Sequence, residues 1–291
     1  MSRFRELVEA GSFVVTGEIA PPLGTDLTAM RASVETLASV CDAINVTDNQ
    51  GASLHLSSLA ASRIVLEMGV EPIFQQTCRD RNRLALQSDL LAAWTLGLTN
   101  LLAVTGDDPR SGDHPEAKGV FDLDSTQLVQ VARGFNEGHD MKGRDLKGAT
   151  DFFIGAAMFP EAEPWEMQQA RIEEKIAAGV RFFQTQAVFD LDKFARAADV
   201  VHAAGAKVIG GILILRNPRV IRFINERLAG LMVPDHIRVR IESAEDATEE
   251  GVRLAVEQAR ALHGIADGIH VMALGLDTAV PRIVREAGIK A

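Results

Sequence analysis

Tyrosine is absent from the 291-residue chain, so no phenol can serve as an acid, a base or the neighbour of a redox ring. Cysteine occurs twice, at Cys41 and Cys78, with neither CxxC spacing nor paired histidines nearby. That pattern speaks against a zinc site and reads as two reduced thiols. Positive charge is in deficit: 30 Lys and Arg stand against 40 Asp and Glu, a formal net charge of −10. Nucleic-acid and anionic-membrane surfaces need clustered Lys and Arg, so neither partner is expected. No apolar run approaches the roughly 20 residues of a membrane span. The opening "MSRFRELVEAG" has no apolar signal-peptide core, and a cytoplasmic location is expected. A GxGxxG turn is missing too. "TGEIAPPLG" has Pro21 and Pro22 where a nucleotide-binding helix would begin, which weakens a doubly wound open sheet, the second architecture considered.

Short apolar runs are what the chain does have. They are Phe13–Ile19, Asp42–Thr47, Glu71–Thr77, Asn100–Gly106, Phe152–Met158, Arg181–Ala187, Lys207–Ile214 and Gly268–Gly275. Between them lie stretches of helical period such as "SLHLSSLAASRIVLEMG" and "PWEMQQARIEEKIAAG", each ending in glycine, a preferred residue at helix C-termini. Strands alternating with helices indicate parallel βαβ units. Eight such units predict a (β/α)₈ TIM barrel, for which about 250 residues is typical. No composition break divides the chain, so one domain over residues 1–291 is expected. Two connections are long: one after the fourth strand, and one after the seventh that reads as more than one helix.

In such a barrel the carboxyl ends of the strands share one mouth. The sequence places there Glu18, Thr47-Asp48-Asn49, Gln75 to Thr77, Thr105-Gly106-Asp107-Asp108, Phe159-Pro160-Glu161, Gln184, Gln186 and Arg216-Asn217. Acids, amides and hydroxyls outnumber cations, which suits a neutral or cationic heterocycle. Glu18 ends an apolar strand just before Pro21-Pro22 and is a candidate proton donor; the alternative is an acid paired with a cation or capping a loop. Asp107 follows Gly106, whose freedom lets the carboxylate project into the mouth. Asp108 is expected to face solvent or cap the loop. Gln184 and Gln186 alternate about Thr185 and share one side of the strand. Of the seven histidines only His114 falls in a candidate active-site loop; most of them read as surface or packing residues.

"GEIAPP", "NVTDN", "TC", "VTGD", "AAMFPE" and "QTQAVFD", in this order on successive strands, make the chain resemble the methylenetetrahydrofolate reductase family. The resemblance runs from about Phe13 through "GIHVMALG". It implies reduction of 5,10-methylenetetrahydrofolate to 5-methyltetrahydrofolate. The methylene bridge opens to an iminium, aided by proton donation from a carboxylic acid, and hydride from NAD(P)H reaches its carbon, with FAD as the usual cofactor. It assigns the acid to Glu18, the carboxylate beside the cation to Asp107, and a folate contact to Gln186. Thr47, Gly106, Asp107 and Lys175 are the flavin contacts that match. Other flavin contacts depart: Thr105 stands in place of arginine, Gln75 and Glu163 in place of histidines, and Phe159 in place of tyrosine. Loss of these contacts implies weak flavin binding, or direct transfer from the nicotinamide. A homo-oligomer or a partner reductase subunit is compatible with this reading. The reading of a different class is a non-catalytic folate-binding or electron-transfer subunit.

Overall fold

Each of the eight apolar runs becomes a strand, because β-branched and aromatic residues suit a sheet buried on both faces. A computed structural model describes residues 1–227 and 231–290. A short helix, α1 (Arg3–Glu9), precedes β1 (Val14–Ile19), α2 (Thr28–Ala38), β2 (Ala43–Val46), α3 (Ser58–Glu67) and β3 (Pro72–Thr77). The chain continues with α4 (Arg83–Thr95), β4 (Asn100–Val104), α5 (Ser125–Asn136), β5 (Phe153–Met158), α6 (Trp165–Ala178) and β6 (Phe182–Ala187). Then come α7 (Leu191–Ala203), β7 (Lys207–Leu213), α8 (Pro218–Arg227), α9 (Asp235–Glu242), α10 (Ala247–Leu262), β8 (Gly268–Met272) and α11 (Val280–Glu286).

All neighbouring strands pair in parallel and in chain order, and β8 closes on β1 through Val14–Gly17 against Gly268–Val271. That ladder makes the sheet a TIM barrel and rules out the open doubly wound alternative. The pairing of β4 with β3 stops at Val104, so Thr105 and Gly106, expected at a strand end, belong to the loop. The long connection after β7 does hold more than one helix, α8 to α10, which pack a separate apolar cluster around Ile221, Ile224, Ile237 and Ile241.

Alternation along the strands stacks the barrel interior in layers. At the bottom, Phe4 and Val8 of α1 plug the barrel against Val14, Ala43, Ile73, Leu102, Phe153, Phe182 and Ile209. Phe4 meets the rings of Phe153 and Phe182 edge-on at 5.9 and 5.5 Å, and those two stack at 4.9 Å. Two residues higher the lining is polar: Thr16, Asn45, Gln75, Gln184 and His270. A buried polar layer is costly unless its members bond one another. Here they do, and this layer is the floor of the site.

Candidate active site

Above that floor a cavity of about 260 Å³ opens at the mouth, lined by Glu18, Gln75, Thr77, Asp107, Gln184, Gln186 and His270 among others. A larger one, about 790 Å³, lies over the ends of β7, β8 and β1, and Glu18 and Gln50 line both. Glu18 therefore stands at the junction. Its side chain is 13% exposed, with Oε2 3.5 Å from His270 Nε2, and Oε1 accepts a hydrogen bond from Gln50 Nε2 at 3.1 Å.

Asp107 enters the central cavity from the other side, where its Oδ2 accepts a hydrogen bond from the Gly51 amide at 3.2 Å. Gln50 and Gly51 are adjacent in the 3₁₀ turn Gln50–Ala52 after β2. One turn thus holds both carboxylates, its side chain on Glu18 and its backbone on Asp107. Asp108, one residue on, turns outward. Its carboxylate caps the next turn at the Arg110 amide and pairs with the Arg110 guanidinium, which holds its pKa down to about 2. Gly106 separates the paths that lead to these positions. Its φ is 96°, and a Cβ there would sit 2.9 Å from Arg79 Cβ, so only glycine fits both the turn and the packing.

His270 is the residue that sequence reasoning missed. It is 1% exposed on β8 at the floor of the cavity. Its Nδ1 lies 3.0 Å from Thr16 Oγ1 and 3.4 Å from Asn45 Nδ2. Asn45 in turn donates to Gln184 Oε1 at 3.1 Å and accepts from Gln75 Nε2 at 3.3 Å. An amide nitrogen can only donate, so the network assigns Nδ1 as the acceptor and puts the ring proton on Nε2, facing Glu18. The available signal was its even spacing from Gly268 at the strand start. His114, the histidine singled out instead, is exposed and pairs with Asp113 at 2.8 Å.

Gln184 and Gln186 both line the cavity, and so does Thr185 between them. Between Gln184 and Ala187 the β6–β7 register shifts, an irregularity of the kind that re-aims side chains beside active sites. Gly211 permits it, since a Cβ there would lie 2.4 Å from the Gln186 carbonyl. Thr47, expected to face a ligand, does not line the cavity: it is 2% exposed and its hydroxyl turns back to the Ile19 carbonyl at 3.4 Å. The adjacent Asp48 lines it, buried and held in a bidentate pair by Arg81, with the Thr77 amide and hydroxyl on the same oxygen. Glu161 is spent on the amides of Phe189 and Asp190, and Glu163 on Lys193. Lys175 reaches the rim of the cavity from α6, its ammonium bonded to the Ala157 carbonyl at 2.8 Å. Burial pushes its pKa down to about 8.

Two acids and two glutamines around a barrel mouth with a buried histidine beneath are open to several chemistries, and comparison with known proteins narrows them. Residues 3–288 match the family model described as methylenetetrahydrofolate reductase. The chain belongs to the methylenetetrahydrofolate reductase family. It is 27% identical over 270 residues to methylenetetrahydrofolate reductase 2 of Saccharomyces cerevisiae, an alignment covering 87% of this chain and 42% of the yeast protein. It is 28% identical over 218 residues to 5,10-methylenetetrahydrofolate reductase of Pectobacterium carotovorum, covering 71% and 66%. The chain thus spans about two fifths of the yeast relative. Among solved structures, a Clostridium thermocellum protein of uncharacterised function that binds two copies of 5-methyl-5,6,7,8-tetrahydrofolic acid aligns over 98% of this chain and 99% of its own. Its TM-score is 0.66 at 13% identity, a likeness of fold.

Membership in the reductase family raises the question of FAD. Of the positions that the resemblance ties to the flavin, Thr105, Phe159 and Lys175 line a cavity of about 370 Å³ between β4, β5, α5 and α6. Its charged lining consists of Arg171 and Lys175 against Asp124 and Glu174, two cations balanced by two carboxylates. The N-terminus of α5, a potential anion site, is closed by the Asp124 side chain in a capping box. Thr105, at the arginine position of the resemblance, is bonded to Ser125. The guanidinium of Arg79 is committed to Asp80 and the Asn49 carbonyl. This donor set does not fit a dinucleotide flavin. Among the described residues, no helix is long and apolar enough to cross a membrane, and no group of three or more His, Cys, Asp or Glu is placed to hold a metal ion.

Proposed function

We propose that the protein reduces 5,10-methylenetetrahydrofolate to 5-methyltetrahydrofolate, with NAD(P)H giving hydride directly to the folate. The observation that carries this reading is the bridging of Glu18 and Asp107 by the single turn Gln50–Gly51 across one cavity. A proton donor and a separate carboxylate held apart by a rigid turn suit a reaction in which one nitrogen is protonated while a cation forms nearby. Glu18 donates the proton to the nitrogen that leaves the methylene bridge, and the C–N bond breaks to give the iminium. Asp107 stabilises that cation more than the neutral ground state, and hydride adds to its carbon. Each turnover consumes one hydride and one proton. Gln184 and Gln186 offer donor and acceptor edges to the pterin, and His270, through Nε2–H, orients the Glu18 carboxyl.

The test is turnover by purified protein with NADH or NADPH and no added flavin. Formation of methyltetrahydrofolate supports the reading; a strict requirement for added FAD removes the direct transfer. Folate binding without turnover under either condition favours the non-catalytic subunit instead.

A further inference from the structure

Four of the five side chains in the polar layer beneath Glu18 cannot ionise: Thr16, Asn45, Gln75 and Gln184. The fifth, His270, can hold its ring proton on either nitrogen. The choice matters to the acid above, because Nε2 lies 3.5 Å from Glu18 Oε2. A lone pair on Nε2 would accept the Glu18 proton. An N–H there donates to the carboxyl and has no place for a second hydrogen. Glu18 is the one carboxylate close enough to pair with a ring nitrogen of His270 among the described residues. The other charged groups that line the cavity are engaged elsewhere: Asp48 with Arg81, Arg79 with Asp80, Asp107 with the Gly51 amide, and Lys175 with the Ala157 carbonyl.

Two neighbours face Nδ1 on the other side of the ring. Thr16 Oγ1, at 3.0 Å, suits either tautomer: its hydroxyl can donate to Nδ1, or accept from it while donating to the Ile269 carbonyl at 3.4 Å. Asn45 Nδ2, at 3.4 Å, suits only one, because an amide nitrogen donates and cannot accept. Asn45 is fully buried, its Nδ2 also donates to Gln184 Oε1 at 3.1 Å, and its Oδ1 accepts from Gln75 Nε2 at 3.3 Å. Turning its amide over would require both glutamines to turn over as well, or leave buried polar groups unmet. We propose that Asn45 fixes the tautomer of His270, so that the barrel floor cannot take the Glu18 proton and the bound substrate receives it. The inference rests on the proposed acid role of Glu18. Asn45 does not line the cavity; it is a positioning residue that acts through His270. With hydrogen already on Nε2, the Glu18 proton has one acceptor, the leaving nitrogen of the methylene bridge. That nitrogen gains the hydrogen as its bond to the methylene carbon breaks, and Glu18 is left as the carboxylate.

Asn45→Asp tests this on the full chain, because the side chain keeps its shape while the atom facing Nδ1 becomes an acceptor. Gln75 can still donate to it and Gln184 can turn its amide to do so, so the fold is expected to hold, with thermal denaturation as the check. In long-range ¹H–¹⁵N spectra the His270 signals are those that His270→Gln removes. They are expected to show the proton on Nε2 in wild type and on Nδ1 in Asn45→Asp. The kcat for methyltetrahydrofolate formation should fall about 100-fold, the low end of what a positioned acid supplies, with affinity for 5-methyltetrahydrofolate within about three-fold. Asn45→Asp/His270→Gln should recover about ten-fold of that loss, since a glutamine cannot take the proton; a merely structural role for Asn45 gives no recovery. A proton on Nδ1 in wild type overturns the inference, and that spectrum decides even where the variant fails to fold. Wild-type kcat in Asn45→Asp overturns it too, as does a double variant no faster than Asn45→Asp. A wild type that holds its proton on Nε2 yet forms no methyltetrahydrofolate overturns the acid reading of Glu18 and leaves the tautomer assignment standing.

Discussion

Replacing Glu18 with Gln keeps the length and shape of the side chain and removes its proton. Positioned acids contribute about 10²–10⁴-fold to rate, so kcat is expected to fall by that factor, about 3–5 kcal/mol of barrier. The structural cost is small. Gln50 Nε2 and His270 Nε2 approach the two carboxyl oxygens at 3.1 and 3.5 Å, and an amide can accept from only one of them. The loss of one hydrogen bond costs about 1 kcal/mol, a fall in Tm of about 2–4 °C for a domain of this size. Because the side chain is only 13% exposed and sits beside the ligand path instead of across it, 5-methyltetrahydrofolate should still bind within about three-fold. Steady-state formation of methyltetrahydrofolate gives kcat, calorimetry gives the affinity, and thermal denaturation checks the fold. A folded variant with kcat within three-fold of wild type would remove Glu18 from the chemistry. A parallel collapse of kcat and Tm would reduce it to a structural residue.

Asp107→Asn should lower kcat more than it raises KM, whereas Asp108→Asn, whose carboxylate is spent on Arg110, should change neither by more than about two-fold; reversal of the two patterns in steady-state kinetics refutes the assignment. For His270, Gln can place an amide near the Nε2 position while Asn mimics only the Nδ1 side, so His270→Gln should retain at least ten-fold more kcat than His270→Asn at comparable Tm; equal kcat values contradict the orienting role. Lys175 has a folded pKa near 8, below its ordinary value of 10.5, so the unfolded chain holds the extra proton between those values and stability at this site should rise as pH climbs from about 8 to 10.5. Lys175→Met removes that burial cost at the expense of an unpaired Ala157 carbonyl and should stabilise the protein at pH 7 by about 1–2 kcal/mol in urea denaturation, with a flatter pH dependence above 8; a destabilised variant refutes the argument.

The eight strands were legible because local composition decides them: runs such as Phe13–Ile19 and Lys207–Ile214 have few other stable fates between helical segments. Glu18, Asp107, Gln184 and Gln186 were legible for a related reason, since polar side chains at the carboxyl ends of buried strands face one mouth once a barrel is assumed. Asp108 could be set apart from Asp107 by Gly106 alone. What composition and spacing left open was which side chains meet. Thr47 and Asp48 are adjacent in sequence, and only the local geometry after β2 turned the hydroxyl to Ile19 and the carboxylate to Arg81. The role of His270 was hidden because its partners Thr16, Asn45 and Glu18 lie more than 220 residues away, and it reaches them only when β8 closes on β1. The turn that joins Glu18 to Asp107 through Gln50 and Gly51 was hidden likewise, since no periodicity marks a three-residue 3₁₀ turn. So the sequence by itself determined the barrel and the side chains available at its mouth, because alternation and strand ends are local properties of the chain. Only tertiary structure decided the pairing of those side chains, because closure of the barrel sets the distances that make a hydrogen bond.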